Sequence, residues 1–363
     1  MKNDDATQLK TLMELAATIN STLDGREVRT RAIEAATRLV GAETGSLLLH
    51  DPATNELYFE VALGEKGERL KEIRIPADQG FAGWSFTHSE GLIITDPDND
   101  PRFFRGADQK SSFRTRSLLV APLRIKGRTI GVLEAINKIE GDFDGRDLDI
   151  LTCLANQVAP AIENAALYAE LRELFLETAL TLSEALECRD TYTGGHTRRV
   201  RDYSVAIGKR LGLSLQELEH LNLAAILHDI GKIGVDDAIL RKQGPLDRDE
   251  FIKMMEHAQI GADILQYVRS MVPVVPGVRY HHEKYDGTGY PERLRGEDIP
   301  FLARIIAVAD TFDAMTTDRP YRKGLTRETA LAELEKCSGT QFDPEIARVF
   351  IDILMEEMGE VPP

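Results

Sequence analysis

The stretch Leu223-Ala-Ala-Ile-Leu-His-Asp-Ile-Gly-Lys-Ile-Gly234 decides how the carboxy-terminal half of the chain is interpreted. Its apolar start predicts a buried helix that carries His228 and Asp229 side by side and ends at Gly231. Adjacent helical residues point about 100° apart, so the imidazole and the carboxylate can approach one ion from neighbouring directions. A lone His-Asp pair is only a weak indication, because His228 could cap the helix and Asp229 could pair with Lys232.

Further histidine and aspartate residues stand at comparable places downstream and upstream of this pair. They are His196, His257, the adjacent His281 and His282, and Asp310. The histidines stand beside apolar residues, where an unpaired imidazole would be costly, so a shared function is favoured. Mixed imidazole and carboxylate ligation suits iron, manganese, nickel, cobalt or zinc, whereas magnesium and calcium prefer oxygen. These groups, seven with the His-Asp pair, are too many for one tetrahedral zinc, so we expect two ions bridged by a carboxylate.

Length and composition restrict the class of protein that carries this site. With 363 residues, 42% of them apolar, the chain is expected to form two domains with substantial cores. The formal charge of −16 argues against DNA or an anionic membrane surface as a partner. The cysteines Cys153, Cys188 and Cys337 are scattered, and we find neither a signal peptide nor an apolar run long enough to span a membrane. A cytoplasmic protein is therefore expected.

The amino-terminal half has the pattern of a sheet layered with helices. Apolar positions recur at helical spacing from Leu9 to about Val40, with Thr22 and Asp24 as capping candidates. Short alternating runs follow, which predict strands at 46–50, 57–62, 73–76, 92–95, 117–124 and 129–136. Strands of this length between helices predict an α+β fold for the chain as a whole, because the other half is helical throughout.

Four motifs give the amino-terminal half a more specific resemblance. They are Gly80-Phe-Ala-Gly-Trp84, Asp98-Asn-Asp-Pro-Arg-Phe-Phe104, Phe113-Arg-Thr-Arg-Ser-Leu-Leu119 and Gly131-Val-Leu-Glu-Ala-Ile-Asn-Lys138. Together they resemble a GAF domain, a small-molecule sensor module. The resemblance implies an antiparallel sheet flanked by helices, a domain over residues 1–165 and a small ligand whose identity the sequence does not reveal.

One signature inside this region has two interpretations. Asn137, Lys138, Phe143 and Asp147 resemble the Asn-Lys-Phe-Asp signature of cyclic-nucleotide-binding GAF domains, although Leu148 stands where those members have an acidic residue. In that family the signature often acts as a structural lock between a strand end and a helix. The alternative is that these residues contribute to a site for a purine cyclic nucleotide.

A long helix is predicted between the two halves. No glycine or proline occurs between Ala161 and Thr193, and we place a linking helix at residues 166–188. An apolar seam follows three- and four-residue spacing, formed by Leu151, Leu154, Val158, Ile162, Ala165, Tyr168, Leu171, Phe175, Leu182 and Leu186. Pairing with the same helix of a second chain would bury this seam, so a parallel homodimer is expected. The alternative is a helix folded back onto its own domains.

The carboxy-terminal half resembles the HD-GYP subgroup of the HD phosphohydrolase superfamily over roughly residues 178–355. His228 and Asp229 match its HD pair, and Gly289-Tyr290-Pro291 matches its GYP triplet. The other histidines, Asp310 and Asp318-Arg-Pro-Tyr-Arg322 make the match far more specific than either short motif. The resemblance implies an all-helical, metal-dependent domain, here 189–363, that hydrolyses the bacterial second messenger cyclic di-GMP to linear pGpG, GMP or both.

The resemblance also implies roles for individual residues. His196, His228, Asp229 and Asp310 would hold a first metal, and Asp229 would bridge to a second metal held by His257, His281 and His282. Iron or manganese is the expected metal, with nickel, cobalt and zinc as open alternatives. A third metal is not expected, because Tyr192 stands where three-metal members have a glutamate four residues before the first histidine.

The remaining site residues are expected to act on the substrate. Asp229 and Lys232 are the predicted catalytic residues, with Lys232 placed to contact the phosphate or the leaving oxygen; a plain salt bridge between the two is the alternative. Arg319 and Arg322 could clamp the other phosphate or stack on a guanine. Tyr290, in a candidate lid at 286–295, would pack against the ligand, and Asp313 would orient a metal ligand. Two rival functions stay open: a catalytically silent cyclic di-GMP sensor, and a phosphodiesterase for another cyclic dinucleotide.

Overall fold

A computed structural model of the chain describes residues 14, 17–18, 21–62, 73–104, 106, 108, 114–189, 194–318 and 323–359. The chain divides into two compact units, Met1–Arg172 and Glu173–Pro363. Most positions of the helical pattern predicted from Leu9 onward lie outside the described residues until residue 21. The Asp24 carboxylate accepts the Glu27 N–H and so caps the helix that follows.

The first unit contains the predicted sheet. Its helices and strands are α1 (Gly25–Val40), β1 (Ala42–Asp51), β2 (Glu56–Ala62), β3 (Arg74–Pro76), α2 (Gly80–His88), β4 (Leu92–Ile94), β5 (Leu118–Ile125), β6 (Arg128–Lys138) and the start of α3 (Gly145–Glu187). Among the described residues the strands pair in the order β3-β2-β1-β6-β5-β4, and every pairing is antiparallel. The antiparallel sheet flanked by helices, which the sequence predicted, is confirmed.

The two faces of the sheet are covered by different elements. Leu47 of β1 and Leu133 of β6 point to one face and pack in a core with residues of α1 and the first half of α3. The neighbouring Leu48 and Val132 point to the other face, as the two-residue period of a strand requires, and pack there with Phe81 of α2. Both faces of the central strands are therefore buried.

Helix α3 begins in the first unit and ends in the second, and its apolar seam is not uniform. Leu151, Leu154 and Val158 are fully buried in the first unit's own core. The sequence predicted that a second chain covers the whole seam from Leu151 onward. That prediction was wrong for these three residues, because the sheet of the first unit already covers them. Exposed large apolar side chains occur only further along, between 45% and 64% exposed, at Leu167, Tyr168, Leu171, Leu174, Phe175 and Leu182.

The second unit is helical throughout its described residues, as predicted. After the end of α3 its helices are α4 (His196–Arg210), α5 (Leu215–Leu227), α6 (Asp237–Leu240), α7 (Arg248–Leu265), α8 (Val275–Tyr280), α9 (Phe301–Thr316), α10 (Arg327–Lys336) and α11 (Pro344–Met358). Capping boxes begin two of them, Ser214 with Glu217 at α5 and Asp247 with Glu250 at α7. Apart from α6, these helices share one apolar core. Among the helices described, none combines the length and the apolar character needed to cross a membrane.

Candidate metal centre

The second unit brings the seven predicted ligands together in two neighbouring groups. Each residue contributes one ligand atom, and within a group these atoms all lie within 4.8 Å of one another. The first group is His196, His228 and Asp310, and the second is Asp229, His257, His281 and His282. The ligands come from five separate places along the chain, so this convergence is a property of the helical packing and not of any local motif.

The His-Asp pair lies at a sharp change in backbone direction. Helix α5 ends at Leu227, one residue before His228, and a 3₁₀ turn at Ile230–Gly234 follows Asp229. The helix thus ends earlier than predicted, and Gly231 lies inside the turn. A Cβ on Gly231 would stand 1.8 Å from the His257 carbonyl oxygen. Only glycine therefore lets this turn pack directly on α7, which brings the His-Asp pair next to His257.

Three of the histidines are held in one tautomer by their own backbone. The Nδ1 atoms of His228, His257 and His281 lie 2.8, 2.6 and 2.6 Å from the carbonyl oxygens of Ala225, Met254 and Val278, each three residues earlier. Because a carbonyl can only accept, each Nδ1 carries the proton and donates it. The Nε2 lone pair of each ring is then free to face the centre of the site.

The spacing of these nitrogens fits a shared cation. The His257 Nε2 lies 3.2 Å from the His282 Nε2 and 3.5 Å from the His281 Nε2, while the His228 Nε2 is buried without a hydrogen bond among the described residues. Converging lone pairs repel one another unless a cation lies between them. Ligands about 2.1 Å from one ion, at tetrahedral or octahedral angles, would be about 3.0–3.4 Å apart. The residues present therefore fit a divalent metal.

Asp229 belongs to the second group and also faces the first. Its Oδ1 is 3.4 Å from the His257 Nε2, and its Oδ2 is 3.5 Å from the His228 Nε2 and 2.6 Å from the Lys232 Nζ. Burial alone would raise the pKa of this carboxyl, but the neighbouring positive charge, above all that of Lys232, outweighs it and holds the pKa well below its usual range. One oxygen toward each group is the arrangement that a bridging carboxylate requires.

His196 is oriented differently from the other histidines. Its Nε2 is 3.4 Å from the Asp310 Oδ1, and its Nδ1 is 2.7 Å from the buried Asp313 Oδ2. Arg199 donates to the same Asp313 carboxylate through Nε, at 2.5 Å. Burial would lower the pKa of His196, but the carboxylates of Asp313, Asp310 and Asp229 raise it overall. A carboxylate behind the imidazole makes it a stronger electron-pair donor.

The glycine-rich loop closes one side of the site. The Tyr290 ring lies 4.8 Å from the His282 ring, centroid to centroid. A Cβ on Gly289 would stand 2.3 Å from the Lys284 nitrogen, so glycine is needed where the loop folds back on the histidine segment. Burial raises the pKa of Tyr290, which keeps its phenol protonated. The tyrosine is thus held against a candidate metal ligand.

Phe251 was missed by the sequence analysis. This side chain is 49% exposed, and its ring stands edge-on to Tyr290 at 6.3 Å. It lies six residues before His257 on α7, which turns the two side chains about 120° apart around the helix. This spacing does not indicate Phe251 as a site residue, and an exposed phenylalanine is common on its own.

Three predicted site residues, Tyr192, Arg319 and Arg322, lie outside the described residues. The predicted contacts of these side chains therefore stay predictions.

Three of the four signature residues of the first unit are joined through Lys138. Its ammonium group donates to both Asp147 oxygens at 2.7 Å and lies 5.5 Å from the Phe143 ring centroid, which links the end of β6 to the start of α3. The Asn137 side chain instead accepts the Arg116 N–H at 2.7 Å and donates to Glu43 of β1 at 2.8 Å. The polar groups of Asn137, Lys138 and Asp147 thus have partners within the protein.

A buried carboxylate on the sheet was also missed. Glu134 of β6 is 7% exposed and accepts a 2.5 Å hydrogen bond from the Ser46 hydroxyl on β1. Val132 lies two residues before Glu134 on β6, and Leu48 lies two residues after Ser46 on β1. Both apolar side chains therefore share the sheet face of Glu134. Burial raises the pKa of Glu134 to about 7, and the Ser46 hydrogen bond only partly opposes this rise. The sequence of β6 does not indicate an inward-facing acid, because apolar residues stand on both strand faces around Glu134.

Comparison with known proteins agrees with both resemblances. The GAF domain family matches residues 24–162 and the HD domain family matches residues 180–346. A 3′3′-cGAMP-specific phosphodiesterase 2 of Vibrio cholerae is 35% identical over 223 residues, which cover 61% of this chain and 42% of the relative. A cyclic di-GMP phosphodiesterase response regulator of Xanthomonas campestris is 42% identical over 178 residues, or 48% of this chain and 47% of the relative.

A third relative has a comparable overlap. The cyclic di-GMP phosphodiesterase of Thermotoga maritima is 39% identical over 193 residues, which cover 52% of each chain. This chain thus spans about half the length of the curated relatives it matches. The two domain resemblances drawn from the sequence are confirmed. The chain consists of a GAF domain followed by a domain that belongs to the HD family.

Proposed function

We propose that the chain is a metal-dependent phosphodiesterase of the HD-GYP type, with cyclic di-GMP as its first candidate substrate. The observation that carries the proposal is the pair of ligand groups on either side of the Asp229 carboxylate, with the Lys232 ammonium group 2.6 Å from one of its oxygens. Relatives named for cyclic di-GMP and for 3′3′-cGAMP both support this reaction class, so cGAMP is the alternative substrate.

We propose two divalent ions in this centre, with iron or manganese preferred and nickel, cobalt or zinc as alternatives. His196, His228, Asp229 and Asp310 would hold the first, and Asp229, His257, His281 and His282 the second. When bound, two such ions supply Lewis acidity and activate water for attack on a phosphodiester. The mixed nitrogen and oxygen donors support this choice of metals over magnesium or calcium.

The chain's own residues would orient the substrate. Lys232 is placed to give its positive charge to a phosphate oxygen, because its ammonium group already faces the centre through Asp229. Tyr290 would present its ring to the substrate, and Arg319 and Arg322 would pair with the second phosphate. The loop at 286–295 would cover the bound dinucleotide.

The test is turnover of defined substrates by the full chain. Protein loaded with manganese or ferrous iron is incubated with cyclic di-GMP, 3′3′-cGAMP and cyclic di-AMP, and the products are separated by chromatography. We expect pGpG, GMP or both from cyclic di-GMP, and Asp229→Ala should abolish turnover and lower bound metal while helicity stays unchanged. Absence of turnover of all three with both metals bound would leave the silent-sensor alternative standing.

We further propose that residues 1–165 sense a small ligand, that 166–188 form a linking helix and that 189–363 form the catalytic domain. The identity of this ligand is open: a purine cyclic nucleotide is one candidate, but the bonds of Lys138 to Asp147 support the structural role of the signature. Binding would regulate turnover only if the ligand favoured one conformation over another. The scattered, unpaired cysteines support a reducing cytoplasmic location.

A homodimer through the linking helix is the last part of the proposal. Leu167, Leu171 and Leu174 follow one another at four- and three-residue spacing and are each more than half exposed. Such a stripe is what a second copy of the helix would cover in a parallel pair. Leu171→Asp should convert a dimer to a monomer in light scattering after size exclusion. A wild-type monomer at micromolar concentration would contradict the proposal.

A further inference from the structure

The end of helix α3 is fastened to the segments that present the first ligand group. We infer that Glu187, the last residue of α3, is a positioning residue that couples this helix to the metal ligand His196. The inference rests on the metal centre proposed above. It assigns to the chain a contact through which a movement of the helix would change metal binding.

The central contact joins Glu187 to the residue that follows His196. The Glu187 Oε1 accepts the Thr197 backbone N–H at 2.5 Å and also the Thr197 hydroxyl. Thr197 is 1% exposed and lies in the first turn of α4, whose N-cap residue Gly195 offers no side-chain acceptor. The first amide groups of a helix need acceptors from elsewhere, and a carboxylate is favourable at this end of the helix dipole. Glu187 therefore supplies the cap that α4 lacks.

Arg189, two residues after Glu187, extends the same connection. It donates to the Ile233 carbonyl oxygen at 3.3 Å and to the Asp237 carboxylate at 2.7 Å. Glu184, one turn before Glu187, makes only a partly exposed ion pair with Arg198, at 2.9 Å. Ile233 belongs to the 3₁₀ turn directly after Asp229. The end of α3 thus contacts both the segment that carries His196 and the segment that carries the His-Asp pair.

These contacts act on one ligand group more directly than on the other. His196 and His228 approach each other with ring centroids 5.4 Å apart, from the two segments that the end of α3 holds. His257 and His281 of the second group, like His228, are fixed by carbonyl oxygens three residues earlier, whereas the Nδ1 of His196 contacts the Asp313 side chain. A displacement of Glu187 would therefore change the position of His196 and leave those two imidazoles in place.

The experiment measures the affinity of the full chain for manganese alone. Metal-free wild type, Glu187→Ala, Glu187→Gln and Glu184→Ala are titrated with Mn²⁺ by calorimetry and electron paramagnetic resonance. Glu187→Ala should weaken one of the two manganese sites about tenfold, the lower end of what outer ligand contacts contribute, and leave the other within about twofold. Glu187→Gln keeps a side-chain oxygen as acceptor and should recover most of the affinity.

Two variants serve as controls. Glu184→Ala removes only an ion pair between partly exposed side chains and should bind like wild type. Thr197→Val removes the hydroxyl donor while the size of the side chain is kept, and should weaken the same manganese site as Glu187→Ala by a smaller factor. It tests the inference even if Glu187→Ala does not fold.

The outcomes separate this inference from the function on which it rests. Unchanged affinity of both sites in Glu187→Ala, or in Thr197→Val if the first variant loses its helicity, would overturn the positioning role alone. Equal weakening of both sites would overturn it too, because it would mean general loosening of the domain. A wild-type chain that binds no manganese would overturn the metal centre and the inference together.

Discussion

Glu134→Gln should make the first unit more stable at alkaline pH than the wild type. Glutamine has the shape of the protonated acid and can still accept a hydrogen bond from Ser46. The wild-type carboxyl must ionise on an apolar sheet face, and this burial raises its pKa from 4.5 to about 7. A raised pKa means that the folded state binds the proton more tightly than the unfolded state.

The sign and the size of the effect follow from this difference. The stability that Glu134 contributes is fully present below about pH 4.5 and is lost as the pH rises toward about 7. One pKa unit corresponds to about 1.4 kcal/mol, so the full difference is worth about 3 kcal/mol. Between pH 5 and pH 8 the free energy of unfolding of Glu134→Gln, relative to wild type, should rise by about 2.5 kcal/mol.

Urea unfolding of the full chain can measure this at a series of pH values. Trp84, the single tryptophan, lies in α2 of the first unit, so its fluorescence reports on the unit that contains Glu134. Ser46→Ala is the matched control, because loss of the hydrogen bond that opposes the pKa rise should steepen the pH dependence. A constant difference between wild type and Glu134→Gln from pH 5 to pH 8 would refute the reasoning.

Three further predictions concern the metal centre. The half-exposed Phe251 ring beside Tyr290 is placed to stack on a guanine base. Phe251→Leu should therefore weaken binding of cyclic di-GMP by about 5- to 150-fold, the value of one base stacked on an aromatic ring, while hydrolysis of methyl p-nitrophenyl phosphate stays unchanged; equal effects on both substrates would contradict this. Asp313→Asn should lower Mn²⁺ affinity by about 10- to 100-fold in a chelator competition, because the His196 imidazole loses its carboxylate partner; wild-type affinity would exclude that orienting role. Tyr192→Glu should raise the metal content per chain above two in elemental analysis, and an unchanged ratio would show that the pocket admits no third ion.

The ligands of the second unit could be predicted because burial restricts them strongly. Few sequences place histidines next to apolar runs unless the imidazoles have partners, and the apolar helical pattern around His228 and Asp310 made both stand out. The turn at Gly231 could not be predicted in the same way. Its need for glycine comes from contact with the His257 carbonyl, a residue far along the chain, and no local pattern encodes that approach.

The linking helix shows why periodicity alone misleads. The same three- and four-residue spacing continues through Leu151, Leu154 and Leu171, yet the first two are buried in the unit's own core and the third is exposed. Spacing indicates which side chains share a face, but not what covers that face. Glu134 was missed for a related reason, because one acid within an apolar strand looks like a solvent-facing position until the pairing with Ser46 is known.

The carbonyl contacts of His228, His257 and His281 have a consequence for metal exchange. Since helix backbone already fixes these rings, the centre is built before any ion arrives, unlike a zinc finger, in which metal binding and folding are one event. Chelation should therefore leave helicity nearly unchanged, while the unfolding midpoint of the second unit falls because the ion binds only the folded state. An empty centre of this kind binds metal again without refolding. The activity of the chain would therefore depend on the metal concentration in its surroundings and not on when or how the chain folded.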